Sequence, residues 1–374
     1  MKKRLLNLHL YVGLVAAFFL ISLSVSGAII AFEGELNRAF HPQLTNVKPE
    51  GHPLNWDDFR AKVEQQMPGW KLIRFYFPDQ PDRSTYVRLR NVTTKKIHHV
   101  YVNQYTGMIL GSTEDGSNWI LKVHDLHVNF LSGKVGNQIV TWTTVGLLIL
   151  SVSGIVLWWA RKVFRFRRGT PLPRFNRDLH YSVGFWSFLA MFGFAVTGLG
   201  LHYQTGKLLD LLNTAKAAKT MPGHGITIEG MLTTAREALP GAAIPRLLLP
   251  EKKGGPVFLY QRFPEDKTPA GRSFTTIDPM TGAVLSVGSS RTAPLMQTAL
   301  VQWTREIHTG TLFGLPTQML AAFLALLLSV LALTGPLIWL NKLRAAARGR
   351  KALQQKTMKN APAEPVTTSA GTFP

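Results

Sequence analysis

Four stretches of this chain are almost free of charge: Leu8–Phe32, Ile139–Trp159, Val183–Tyr203 and Leu315–Leu340. Each has roughly 20 or more residues, long enough as a helix to cross a hydrocarbon core of about 30 Å. In lipid, backbone polar groups must be satisfied within their own segment, so runs of this length are helices rather than strands. The expectation is a membrane α-helical protein whose connecting segments read as soluble α+β structure. The 374 residues then divide into transmembrane helix one (1–33), an outside domain with an interfacial segment (34–138), helix two (139–160) and a basic loop (161–178). Helix three (179–203), a second outside domain with its interfacial segment (204–314), helix four (315–341) and a disordered polar tail (342–374) complete it.

The formal net charge of +21 raises nucleic acid as a partner, but the positions of the charges argue otherwise. Basic residues cluster at Lys2–Arg4, at Arg161–Arg177 and from Lys342 onward, each beside a span. Such clusters mark the cytoplasmic side. Both termini and the loop between helices two and three are therefore expected in the cytoplasm, and the two long connections outside. That topology fits a bacterial inner membrane with two periplasmic domains, with lipid and not nucleic acid as the surrounding partner. There is no cysteine, which excludes disulfides, iron–sulfur ligation and covalent attachment of c-type haem. The basic start followed by an apolar run resembles a secretory signal, but it is long for one, and an internal repeat argues that it is retained.

The chain matches itself. With Leu8-His9 placed on Leu179-His180, Gly13 falls on Gly184, Gly27 on Gly198 and Phe32 on Tyr203. With His127 on His308, Gly133 falls on Gly314, Ser153 on Thr334, Gly154 on Gly335 and Trp158 on Trp339. Helices one and three correspond, and so do helices two and four. The outside segments correspond more weakly. Val100–Gly107 and Thr275–Gly282 each read as an alternating strand closed by a Thr-Gly turn. Each follows a strand (Lys71–Phe77; Ala243–Leu249) and, before that, a short helix (Trp56–Gln66; Thr227–Leu239). The architecture expected is one helix–domain–helix unit used twice, with a pseudo-twofold axis along the membrane normal.

The Leu-His openings of helices one and three, the Asn/Asp-x-x-Thr-Gly hairpins and the His-x5-Gly approaches to helices two and four resemble the PepSY-associated transmembrane family. The resemblance covers nearly the whole chain before about Lys351. It implies PepSY-like periplasmic domains. Some members resemble haem-containing ferric-siderophore reductases associated with iron uptake, and other PepSY domains are linked to peptidase inhibition.

Of the eleven histidines, His41, His52, His98, His99 and His224 read as solvated surface groups. His9 and His180 lie at one end of helices one and three, while His127 and His308 lead into helices two and four. Imidazole is a common axial ligand of haem iron, and ionisable groups beside membrane spans are rare unless they serve a site. Two repeat-related histidines facing a common axis would ligate one haem from both sides. His9 and His180 would hold an inner haem b and His127 and His308 an outer one. His202, twenty-two residues and about 33 Å past His180, is an alternative outer ligand with either His127 or His308. Gly13, Gly27, Gly184 and Gly198 form a stripe that admits a macrocycle or a packed helix equally well. Arg74, Arg88 and Arg90 read as a solvated strand face, and Trp158, Trp159 and Trp339 as an interfacial belt.

The function expected is a transmembrane b-type haem oxidoreductase with two haems. It would take electrons from an unidentified donor, a quinol or a cytoplasmic reductase. The acceptor implied by the resemblance is a ferric siderophore. The alternative is a non-catalytic module that binds a peptide or inhibits a peptidase. A transporter is disfavoured because no acidic residue lies within the spans.

Overall fold

The computed structural model describes residues 2–113, 118–162, 164–165, 169–202, 227–250, 255–266, 268, 271–293 and 303–359. The chain order is α1 (Lys2–Ile30), α2 (Glu33–Phe40), α3 (Pro42–Thr45), α4 (Trp56–Gln66), β1 (Trp70–Tyr76), β2 (Thr85–Asn91), β3 (Ile97–Val102) and β4 (Ile109–Thr113). There follow α5 (Trp119–Asn129), α6 (Gly133–Trp159), α7 (Leu172–His202), α8 (Ile228–Ala238), β5 (Ala243–Leu248), β6 (Val257–Arg262), β7 (Ser273–Ile277) and β8 (Val284–Gly288). The last elements are α9 (Thr304–Thr309), a 3-10 turn (Thr311–Phe313) and α10 (Leu315–Lys359).

Among the described residues, four helices are long and apolar enough to cross a membrane: α1, α6, α7 and α10. They pack as a bundle in which α1 and α7 each contact both α6 and α10. At mid-height Ala16, Leu20, Leu147, Met191, Ala195, Leu328 and Ala332 close the centre. The outside of the bundle is inverted relative to a water-soluble protein. Phe18 is 74% exposed, Trp142 70% and Leu189 76%, a surface suited to lipid. Trp158 departs from the belt expected of it: it is buried and stacks on Phe185 at 4.0 Å, while Trp159 stays exposed. Two boundaries also move. The third helix begins at Leu172 rather than 179, shortening the basic loop. The fourth runs to Lys359, so the part of the expected disordered tail before residue 360 is helical. Its Ala, Arg, Lys and Gln residues are strong helix formers that extend a helix already nucleated in the bundle.

The two outside segments do not make two separate domains. Their strands join in one antiparallel sheet of order β4-β3-β2-β1-β5-β6-β7-β8, which reads alike from either end. The junction is β1 against β5, with Phe75 opposite Leu247 and Tyr76 opposite Arg246. One face is covered by α4 and α8. Phe59 and Val63 of α4, Ile228, Leu232 and Ala235 of α8, and Leu72, Phe75, Val87, Leu247 and Leu259 of the strands share a single core. The helix starts cap one another. Asp57 accepts from the backbone N–H groups of Ile228 and Glu229, and Glu229 accepts from that of Trp56 at 3.1 Å. A carboxylate there satisfies N–H groups that have no partner within the helix, and it complements the positive helix end.

The Asn/Asp-x-x-Thr-Gly signature has a direct cause. Asn103 accepts from Tyr105 N–H and Asp278 from Met280 N–H, both at 2.8 Å. The turns close with Gly107 and Gly282 at φ of 75° and 72°, a region unfavourable to other residues. Because one core serves both sheet halves, Phe75→Ala is expected to cost about 3–5 kcal/mol. It should lower a single thermal transition of the sheet domain, read by tryptophan fluorescence, rather than melt one half alone.

Candidate functional site

The bundle brings four histidines together in two pairs. The His9 and His180 rings lie 6.5 Å apart between centroids, and the His127 and His308 rings 6.3 Å apart. Their levels are set by the helices that receive them. His9 of α1 reaches Ser153 of α6, and His180 of α7 reaches Thr334 of α10, each through Nδ1 at 2.8 Å. His127 of α5 reaches Ser26 of α1 at 3.1 Å, and His308 of α9 reaches Thr197 of α7 at 2.9 Å, again through Nδ1. His9 and Ser26 are separated along α1 by a rise of about 26 Å, so the pairs sit near opposite ends of the bundle. The apolar layer at mid-height lies between them.

Each receiving hydroxyl is followed by glycine: Ser26-Gly27, Ser153-Gly154, Thr197-Gly198 and Thr334-Gly335. A Cβ on these glycines would stand 2.8 Å from His127 Cε1, 3.2 Å from His9 Cε1, 3.3 Å from His308 Cε1 and 3.5 Å from His180 Cε1, respectively. The ring lies against bare backbone while the neighbouring hydroxyl holds its Nδ1. Gly13 and Gly184 serve differently, meeting Leu150 and Leu331 in ordinary helix packing.

The hydroxyls also set the tautomer. Ser26, Ser153, Thr197 and Thr334 donate to the carbonyls of Ser22, Ile149, Gly193 and Val330 at 2.6, 2.6, 2.6 and 2.7 Å. A hydroxyl has one proton, so toward histidine it accepts, and Nδ1 must carry the N–H. Nε2 is then the nitrogen with a free lone pair. That is the arrangement of a metal-ligating histidine whose other nitrogen is held by its surroundings.

Spacing tests the fit to haem. With imidazole–metal bonds of about 2.0–2.1 Å, rings whose centres lie 6.5 and 6.3 Å apart are close enough for the two histidines of each pair to hold one metal ion. Among the described residues no group of three or more His, Cys, Asp or Glu side chains gathers to hold a metal ion. Two-histidine sets suit a metal whose other positions are filled by a macrocycle.

His202 is placed elsewhere. Its Nε2 bonds Thr141 at 2.8 Å, and Thr141 donates to Asn137 O, so Nε2 is the donor there. The structure brings His127 to His308 and brings His202 to neither. Of the histidines read as solvated, His98 lies against Trp70 and His99 against Tyr86, both half-buried. His224 lies outside the described residues.

The helices carrying the His127–His308 pair are tied down through carboxylates. His124, one turn before His127, bonds Glu33 at 3.0 Å, and Glu306, two residues before His308, pairs with Arg272 of the sheet domain. Burial pushes the Glu33 carboxyl up, but the hydrogen bond and charge of His124 and the charge of Arg305 outweigh it and hold its pKa below the ordinary value.

A family model, the PepSY-associated TM region, matches residues 6–342. The chain belongs to this family. No curated protein matches it. Membership agrees with the four candidate spans of the structure.

A carboxylate with a depressed pKa contributes stability above its unfolded value, and that contribution is lost as pH falls through its folded value. The α5–α2 tie through Glu33 should therefore hold at neutral pH and weaken below about pH 4.3. Glu33→Gln should lower the thermal midpoint at pH 7 and flatten its decline in acid, as measured by thermal scans from pH 3.5 to 7.

Proposed function

We propose that this PepSY-associated chain is a b-type haem oxidoreductase of the bacterial inner membrane. It is built from two helix–domain–helix units, with both termini cytoplasmic and the sheet domain periplasmic. One observation carries the reading: two pairs of histidines, near opposite ends of one bundle, each pair close enough to hold one metal ion between its rings. The correspondence of the halves supports the two-unit architecture. Ser153 and Thr334 match in sequence and play one role, as do Ser26 and Thr197. The basic clusters beside the spans support the orientation.

Two bound haems would supply a one-electron path between the membrane faces. The chain's own residues do the rest. His9 and His180 would hold the inner haem, and His127 and His308 the outer one, through Nε2. The Ser and Thr hydroxyls keep the proton on Nδ1 and fix the ring planes. The apolar layer of Leu20, Leu147, Met191 and Leu328 excludes water between the levels. Electrons enter from a quinol or a cytoplasmic reductase. The substrate is a ferric siderophore, from which one electron makes Fe(II), a poorer partner for hard oxygen donors.

The purified protein should give a reduced-minus-oxidised spectrum with b-type bands and about two haems per chain. His9→Ala or His180→Ala should remove one haem population, and His127→Ala or His308→Ala the other, while His202→Ala should retain both. Gly27→Ala should disturb the outer population more than Gly198→Ala, since its Cβ would come closer to the ring, 2.8 against 3.3 Å. No b-type bands from haem-replete cells would sink the proposal and leave the sheet domain, as a peptide- or peptidase-binding module, to carry the function.

A further inference from the structure

The sheet face opposite the α4–α8 core is neither apolar nor simply solvated. Strand register sets Tyr101, Tyr86, Tyr76, Arg246, Tyr260 and Phe274 in one row across β3, β2, β1, β5, β6 and β7. The neighbouring row on the same face brings His99, Arg88 and Arg74 into line. Three guanidiniums from three strands gather around one phenol. Arg246 lies over the Tyr76 ring at 4.7 Å and Arg88 at 5.9 Å, and Arg74 donates to the Tyr76 hydroxyl at 3.3 Å. Arg246 also lies over Tyr260 at 5.1 Å.

Among the described residues no carboxylate is in ion-pair contact with Arg74, Arg88 or Arg246. The Nε atoms of Arg88 and Arg246 are buried without a hydrogen-bond partner there. Like charges side by side on neighbouring strands repel, and removing them from water without a counter-charge adds to the cost. Burial accordingly draws the Arg246 pKa down and pushes that of Tyr86 up. Glu33 of α2, bonded to His124, acts electrostatically on Tyr86 and Tyr101, and Arg305 of α9 acts on Arg246. Glu33 itself is already committed to His124.

A second basic cleft differs in this respect. It has a volume of about 430 Å³ and is lined by Arg60, Lys71, Arg90 and Lys95. Glu64 pairs there with Arg60 at 3.1 Å and Lys71 at 3.2 Å. Its charge is partly answered from within.

We propose that the Arg74–Arg88–Arg246 face binds a small polyanion, its oxygens on the guanidiniums and its body on the Tyr76, Tyr86 and Tyr260 rings. Arginine's planar fork suits carboxylate oxygens, and the rings hold the guanidiniums in place by cation–π contact. Binding as such does not depend on haem. That the polyanion is the electron acceptor rests on the oxidoreductase reading, and it makes the acceptor an anionic chelate of iron, bearing carboxylate or catecholate oxygens, rather than a neutral or cationic one.

The test is calorimetric titration of the full-length protein in detergent with three probes: gallium(III)–citrate, metal-free citrate, and the uncharged gallium(III) tris-acetohydroxamate. Gallium(III) accepts no electron, so the result is independent of any haem, and failure of the oxidoreductase reading would appear only in the visible spectrum. Gallium(III)–citrate should bind saturably and weaken with salt, and the uncharged chelate should not bind. Arg88→Gln and Arg246→Gln should each weaken binding about 10-fold or more, the loss expected of a charged hydrogen bond. Arg88→Lys should recover part of it, and Arg60→Gln should leave it unchanged. Equal affinity in Arg88→Gln, equal binding of the uncharged chelate, or no saturable binding of either citrate probe at millimolar concentration overturns the proposal.

Discussion

A hydroxyl that donates to its own helix and accepts from a histidine is the interaction on which the rest of this molecule depends. In each spanning helix a Ser or Thr bonds the carbonyl one turn back, which leaves its oxygen free to receive an imidazole N–H. The glycine that follows removes the side chain that would hold the ring away. This seat fixes tautomer, height and ring plane at once. It also joins elements distant in sequence, binding α1 to α6, α7 to α10, α5 to α1 and α9 to α7. The bundle and the candidate ligand set are thus one construction. Buried polar groups in a membrane core must be satisfied, and here their satisfaction aligns the nitrogens left over.

The sheet domain extends the same economy above the bundle. Strands β1 and β5, which would each be an open edge of a four-stranded half, are joined to one another. The result is a continuous face with a cationic, aromatic centre. A hydrogen bond, Glu33–His124, and an ion pair, Glu306–Arg272, connect the helices carrying His127 and His308 to their surroundings.

The pairing of the histidines was legible in the sequence. Self-comparison paired His9 with His180 and His127 with His308, and the structure brings both pairs within ring contact. The four Ser/Thr-Gly dipeptides were also in view, already aligned with one another. Their role was hidden because a small polar residue beside glycine in a span usually signals helix packing, as Gly13 and Gly184 do here. His202 misled because its period along α7 is right, while Thr141 on a neighbouring helix claims its Nε2. The strand arginines misled for a related reason. Alternation shows that Arg74 and Arg88 share a face, but not that Arg246 of the other half joins them there.

The sequence by itself determined the spans, the class of fold, the correspondence of the halves and the histidine pairs. Apolar length and the spacing of identical residues are properties of the chain alone, and lipid leaves a long apolar run little choice but a helix. The tertiary structure decided what depends on elements meeting across the fold. It chose His308 rather than His202 as the partner of His127, set which nitrogen of each ring is left free, merged two α+β units into one sheet, and gathered three arginines on one face. Each of these turns on a hydrogen bond, a strand pairing or a missing Cβ between segments far apart in the chain, and such contacts exist only once packing has chosen the neighbours.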